Sequence, residues 1–123
     1  MTDWLKMIEQ EPRLLFVLAL ISVAMLLDLL TGVIAAKLTK QISSKIGING
    51  ILRKIASILL LLFFLPVSSL IPLQAGSILL YAFYVSFLVM ELHSIFENYE
   101  KMGIATEVFR NFIQRLLEKE EDE

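Results

Sequence analysis

The residue of this sequence that is most unusual for its surroundings is an acidic one inside an apolar stretch. Asp28 is the only charged residue among the 23 that lie between Arg13 and Lys37. Insertion scales place the cost of a carboxylate at the centre of a membrane helix at about 2.5–3.5 kcal/mol. A protonated Asp28 could donate a hydrogen bond across a helix contact, whereas an ionised one would need water or a cationic partner. Three roles follow: packing and hydrogen bonding to Thr31, Ser22 or a neighbouring helix, oligomerisation with pore lining, or binding of a proton or substrate.

Small residues share the helical face of this carboxylate. This face contains four residues at intervals of four, Ala24, Asp28, Gly32 and Ala36, and two residues beside them, Thr31 and Ala35. Small side chains allow two helix backbones to approach closely in lipid, where apolar side chains provide no hydrophobic drive to associate. We therefore expect this face to form a helix–helix contact and to mediate self-association.

A second group of polar residues comes near the end of the last apolar stretch. This inner-boundary cluster consists of Glu91, Ser94, Glu97 and Asn98. It is typical of a helix end at the membrane surface. A proton relay through His93 is a weaker alternative, since His93 is one residue away from the carboxylate face.

The elements that carry these residues are predicted to be membrane-spanning helices. Leu14–Ala36 would form a helix about 34 Å long, which exceeds the hydrocarbon thickness of about 30 Å. Ile55–Met90 contains no charged residue and would run about 54 Å as one helix, too long for a single crossing. Pro, Gln and Gly cluster in Pro72–Gly76, so we predict two antiparallel spans at 55–71 and 77–96. Pro66 is expected to kink the first of these.

The segment between the first two spans is basic. It runs from residue 37 to residue 54 without an acidic residue, and its cations are Lys37, Lys40, Lys45, Arg53 and Lys54. Gly47, Asn49 and Gly50 predict turns within it. The positive-inside rule places this loop in the cytoplasm, with the N-terminus outside and the C-terminus inside. Nine Lys and Arg residues then lie inside and two, Lys6 and Arg13, outside.

The two ends of the chain complete the predicted architecture. Residues 1–13 could form a helix at the membrane–water boundary with Trp4 as an anchor, or a frayed terminus. Residues 97–123 predict a cytoplasmic amphipathic helix followed by an acidic tail. The fold class is therefore an all-α membrane protein with three transmembrane helices in residues 14–96 and a C-terminal amphipathic cytoplasmic helix.

Composition narrows the functional classes. Residues of hydrophobic type make up 57% of the chain, more than the roughly 45–50% of soluble domains. The absence of cysteine excludes a disulfide framework, a zinc–thiolate site and a cysteine nucleophile, and the single histidine argues against a protein-only metal site. No phosphate-binding loop or catalytic motif is present, so we expect no enzyme, no cofactor and no nucleic-acid partner.

Three segments in this order resemble a known family. They are DLLTGVIAA at 28–36, SKIGINGILRK at 44–54, and ELHSIFEN at 91–98, followed by Gly103. Together they resemble the phage-lysis and toxin-secretion holin family of Gram-positive bacteria and their phages. The positions that match are Asp28, Thr31, Gly32, Ser44, Lys45, Gly47, Gly50, Lys54, Glu91, Ser94, Glu97 and Asn98.

The resemblance implies a small protein of the bacterial inner membrane that forms homo-oligomers among the membrane lipids. Holins assemble at a set time and open lesions that release a cell-wall hydrolase (endolysin) or a large toxin, without necessarily binding it. The family carries no catalytic residues.

Other functions remain open at this point. The chain could be a small ion-coupled transporter or channel subunit that uses Asp28, or an antiholin or regulatory membrane scaffold. A membrane enzyme acting on lipids would need a metal–nucleotide site, for which the sequence offers too few ligands.

Overall fold

The computed structural model describes residues 2–40, 44–72 and 74–122, with side chains for residues 5–40, 47–72 and 74–119. All the regular elements within these residues are α-helices: α1 (Thr2–Gln10), α2 (Arg13–Leu38), α3 (Ser44–Ser68), α4 (Ala75–Lys101) and α5 (Glu107–Asp122). Three segments are long and apolar enough to cross a membrane, namely Arg13–Leu38, Gly47–Ser68 and Ala75–Lys101. The all-α class with three spans and a C-terminal helix is therefore confirmed.

The second long helix begins earlier than its sequence suggests. The prediction that Gly47, Asn49 and Gly50 form turns is wrong, because all three lie inside α3. Glycine costs a helix interior only about 1 kcal/mol relative to alanine. Apolar neighbours and a long-range contact of Lys54, described below, offset that preference. Part of the predicted loop, residues 41–43, lies outside the described residues.

A short connection joins α3 to α4. Pro66 lies inside α3, and the hydroxyl groups that follow it donate to carbonyl oxygens of the same turn: Ser68 to Leu65 at 2.8 Å and Ser69 to Pro66 at 2.6 Å. These bonds satisfy backbone groups at a helix end, as Ser commonly does in membrane helices. Because the connection is short, α3 and α4 run antiparallel. α2 and α4 run parallel, since Leu14 and Leu80 from their N-terminal parts share one core and Asp28 bonds to Asn98 further along both helices.

The apolar core occupies one end of the bundle. It is built from residues on the inward faces of three helices: Leu14, Val17, Ile21 and Met25 of α2, Leu61 and Leu65 of α3, and Leu80 and Tyr84 of α4. The buried Tyr84 hydroxyl donates to the Leu61 carbonyl oxygen at 2.6 Å, so its polar atom is satisfied inside the core. Met7 and Ile8 of α1 pack against the same cluster.

The outer surface of the long helices is apolar. Large side chains that point away from the bundle include Phe16 at 65% exposure, Phe63 at 62% and Met90 at 65%. A soluble monomer rarely exposes contiguous apolar patches of more than a few hundred Å². Lipid is the solvent in which this surface is stable.

The close approach of α3 and α4 at Gly76 gives a testable prediction. A Cβ atom at this position would collide with the Ser68 carbonyl oxygen. We expect Gly76→Ala to lower the free energy of unfolding by about 1–3 kcal/mol, because the hairpin must shift to admit a methyl group. Thermal unfolding in detergent, followed by circular dichroism, measures the change. Gly50→Ala is the control, since a Cβ there meets no atom within 4 Å; equal stability of the two variants would contradict the close packing.

Candidate functional site

A charged cluster joins the three long helices at the end opposite the apolar core. The Lys54 Nζ of α3 lies 2.8 Å from the Asp28 Oδ2 of α2 and 3.2 Å from the Glu91 Oε2 of α4. The side chains are 20%, 15% and 12% exposed, respectively. One lysine therefore pairs with two carboxylates in a largely shielded position, which we call the Lys54 cluster.

An asparagine amide completes the cluster. The Asn98 Nδ2 lies 2.8 Å from the Asp28 Oδ1, 3.1 Å from the Asp28 carbonyl oxygen and 3.0 Å from the Thr31 Oγ1. The Thr31 hydroxyl donates to the Leu27 carbonyl oxygen at 2.7 Å, so toward Asn98 it acts as acceptor. Both oxygens of the Asp28 carboxylate thus have a partner, one from α3 and one from α4.

Helical spacing places these groups on facing surfaces. Asp28, Thr31 and Ala35 follow one another at three and four residues, and this face of α2 packs against α4. Gly32 lies beside it, where a Cβ would be 3.6 Å from the Asn98 Nδ2. A methyl group at this position would be in ordinary van der Waals contact with the amide.

A cavity of about 490 Å³ opens beside the cluster. It lies between the C-terminal halves of α2 and α4 and the N-terminal part of α3, at the end of the bundle that carries the basic segment. Its charged lining consists of Asp28, Glu91, Arg53, Lys54 and Lys101, and its small lining residues include Gly32, Gly47 and Gly50. We call it the basic-end cavity. Within the described residues, no group of three or more His, Asp or Glu residues is placed to hold a metal ion.

The predicted packing face of α2 lies inside the bundle. Ala24, Thr31 and Ala35 are buried, and Gly32 and Ala36 are half-buried beside the basic-end cavity. These residues face the same chain in this structure, and their role in self-association stays a prediction. Of the suggested partners of Asp28, Ser22 instead donates to the Leu18 carbonyl oxygen, and Thr31 is linked to the carboxylate through Asn98.

The basic residues separate into two environments. Lys37, Lys40 and Arg53 are exposed, and the Lys45 side chain lies outside the described residues. The assignment of these residues to a loop is wrong for all but Lys40. Lys37 lies in the last turn of α2, and α3 contains Lys45, Arg53 and Lys54, of which Lys54 points into the bundle. Sequence reasoning missed its pairing, although a cationic partner was one of the options for an ionised Asp28, and Lys54 is the last cation before the uncharged stretch.

The residues of the predicted inner-boundary cluster also lie in different environments. Glu91 and Asn98 belong to the Lys54 cluster, and Ser94 is half-buried. Glu97 lies on the outer surface, 3.2 Å from the Nε2 of the exposed His93.

The other ring nitrogen of His93 faces a different group, which holds α5 beside α4. The Arg110 guanidinium lies 3.3 Å from the His93 Nδ1, 3.0 Å from the Glu100 Oε1 and 5.5 Å from the centre of the Phe96 ring. His93 is therefore part of the contact between α4 and α5, away from Asp28.

Comparison with known proteins identifies the family. The family model described as the bacteriophage holin family matches residues 13–119. The chain belongs to this family. The resemblance noted in the sequence is thereby confirmed, and with three apolar spans the chain is a multi-pass protein of the inner membrane.

Curated relatives are phage and bacterial proteins. The chain is 33% identical to the antiholin of Bacillus phage phi29 over 119 residues, which cover 92% of this chain and 88% of the relative. It is 32% identical to the antiholin of Bacillus phage PZA over the same shares. An uncharacterised protein of Halalkalibacterium halodurans is 29% identical and is covered over 67% of its length. No solved structure matches the chain.

The Lys54 cluster gives the second testable prediction. Lys54→Met leaves two carboxylates without their cation, and breaking a buried pair in this way costs about 3–5 kcal/mol. We expect a loss of this order in the free energy of unfolding, measured by denaturation in mixed detergent micelles. The triple variant Asp28→Asn, Lys54→Met, Glu91→Gln should recover most of the loss, because it removes the charges together.

Arg53→Met is the matched control, since it removes the adjacent, exposed cation. If Lys54→Met and Arg53→Met reduced stability equally, the cluster would not hold the helices together.

Proposed function

We propose that this protein accumulates in the bacterial cytoplasmic membrane and oligomerises into lesions that release a cell-wall hydrolase or a large toxin. Its membership of the holin family supports this role. The observation that carries the proposal is the Lys54 cluster, which pairs the polar groups of three spans inside one chain. A chain whose polar groups are paired internally presents apolar side chains to lipid, so it can accumulate in the bilayer before it assembles.

Lesion formation then requires copies of the chain to associate. Three helices are too few to enclose a channel that passes a folded protein, so the walls must come from many copies. In our proposal, α3 moves away from α2 and α4, and the face of α2 that carries Asp28 and Gly32 becomes available to neighbouring chains or to water. The hydrolase passes through the lesion and needs no direct contact with this chain.

A regulatory role is the second candidate. It is favoured by the relatives from phages phi29 and PZA, which carry the name antiholin. An antiholin would use the same closed bundle to restrain a lesion-forming partner.

Controlled expression in a bacterium tests the proposed function. After induction together with a cytoplasmic cell-wall hydrolase, we expect abrupt loss of membrane potential, growth arrest and escape of the hydrolase. Asp28→Asn should change the time of arrest, because it weakens the Lys54 cluster. Ser22→Ala is the control, since Ser22 lies in the same span and bonds only to its own helix.

The outcome also separates the two candidates. An antiholin would leave cells intact when expressed alone and would delay the lysis caused by a co-expressed holin. Intact cells when the chain is expressed alone, together with lysis at the usual time when it is co-expressed with a holin, would contradict both roles. Changed ion uptake without killing would instead favour a transporter.

The proposed orientation places the N-terminus outside and the basic end of the bundle inside. Because the chain has no cysteine, single cysteines can be introduced as reporters. We expect a membrane-impermeant maleimide to label Gln74→Cys in intact cells and Thr39→Cys only after permeabilisation. Both side chains are exposed and lie at opposite ends of the bundle. The reverse labelling pattern would invert the topology.

A further inference from the structure

We infer that the basic-end cavity binds the headgroup of an anionic phospholipid of the surrounding membrane. The inference requires membrane insertion but not lesion formation, so it extends beyond the proposed function. The inference is based on the shape of the cavity, the charges of its lining residues and the apolar residues at its opening, which we call its lip.

The cavity exists because α3 stands away from its neighbours where it begins. A Cβ built on Gly47 or on Gly50 would meet no atom within 4 Å, so both positions border open space. At the closed side of the cavity, Gly32 approaches Asn98. The volume of about 490 Å³ falls within the range of roughly 300–1,000 Å³ that is typical of small-molecule sites.

The charges that line the cavity leave an excess of one cation. Three cations, Arg53, Lys54 and Lys101, face the two carboxylates of the Lys54 cluster. Lys54 is occupied by both carboxylates, whereas Arg53 and Lys101 are exposed and form no ion pair with any side chain that the structure describes. A phosphodiester carries the single negative charge that balances this excess, and the guanidinium of Arg53 provides a planar fork suited to its oxygens.

The lip of the cavity is apolar, which favours a lipid over a free anion. Leu29 and Val33 line the cavity, and Val33 is 45% exposed on the surface that faces lipid. The neighbouring Leu52 and Ile55 of α3 are also exposed. An amphiphile can place its phosphate between the cations and its acyl chains along this lip. Basic pockets between helices on the cytoplasmic side commonly hold such headgroups.

Competition between lipids tests the inference on the full-length chain. We would exchange purified protein into nanodiscs of phosphatidylcholine with a minor fraction of phosphatidylglycerol and count the retained lipids by native mass spectrometry. We expect phosphatidylglycerol to be enriched on the protein. Arg53→Gln with Lys101→Gln should reduce that enrichment about tenfold, because each cation near a headgroup contributes to binding.

Two further variants distinguish a specific lipid site in the cavity from general electrostatic attraction between anionic lipids and the basic end of the bundle. Lys37→Gln with Lys40→Gln removes two exposed cations at the same end of the bundle that do not line the cavity, and it should leave the enrichment within about twofold of the wild type. Gly50→Leu fills the cavity without removing a charge and should displace the lipid. Helix content and elution volume verify that each variant is folded.

Four results would overturn the inference. The first is retention of phosphatidylglycerol and phosphatidylcholine in proportion to their supply. The second is an equal loss of enrichment in the two double-glutamine variants, which would indicate diffuse electrostatic attraction. The third is release of the lipid by millimolar inorganic phosphate, which would indicate a free-phosphate site. The fourth is a loss of self-association in Gly50→Leu with unchanged lipid, which would assign the cavity to a second copy of the chain.

Discussion

A lysine held between two carboxylates fixes the relative positions of the three spans. Removing such charges from water is costly, and the cost is offset only when each charge has close partners. Lys54 meets this condition with Asp28 and Glu91, and Asn98 bonds the remaining oxygen of Asp28. The three charged residues come from three different helices, so a rotation of α2, α3 or α4 about its own axis would leave a charge unpaired in an apolar environment.

The bundle is held together differently at its two ends. At one end, Leu14, Leu61 and Tyr84 form an apolar core, in which contacts are numerous and tolerant of small shifts. At the other end, directional bonds of the Lys54 cluster join the helices, and the N-terminal part of α3 leaves the basic-end cavity open. Hydrophobic burial gives little drive for association inside lipid, so the polar end provides much of the specificity. A lesion-forming rearrangement of the kind proposed above would begin at this end.

Much of the architecture could be predicted from the sequence, because it depends on local properties. Runs of apolar residues of sufficient length predicted three spans, and the small residues at intervals of four around Asp28 predicted which side of α2 makes a helix contact. The start of α3 could not be read from the glycines near residue 47, since their turn preference is weaker than the tertiary contact of Lys54. The pairing itself joins residues separated by 26 and 37 positions, and periodicity contains no information about such distances. The sequence therefore indicated that Asp28 is important but did not indicate that Lys54 is its cationic partner.

The separation of these partners along the chain also constrains how the protein is made. Asp28 is synthesised before both of its partners. Lys54 follows it after 26 residues and Asn98 after 70 residues. At synthesis rates of about 5–20 residues per second, α2 waits roughly 4–14 s for that amide. Until both partners have been synthesised, the carboxylate lacks part of the bonding that it has in the folded bundle. Biogenesis of this small protein is therefore completed only when its last span arrives, and a chain truncated before α4 would leave Asp28 without its amide partner.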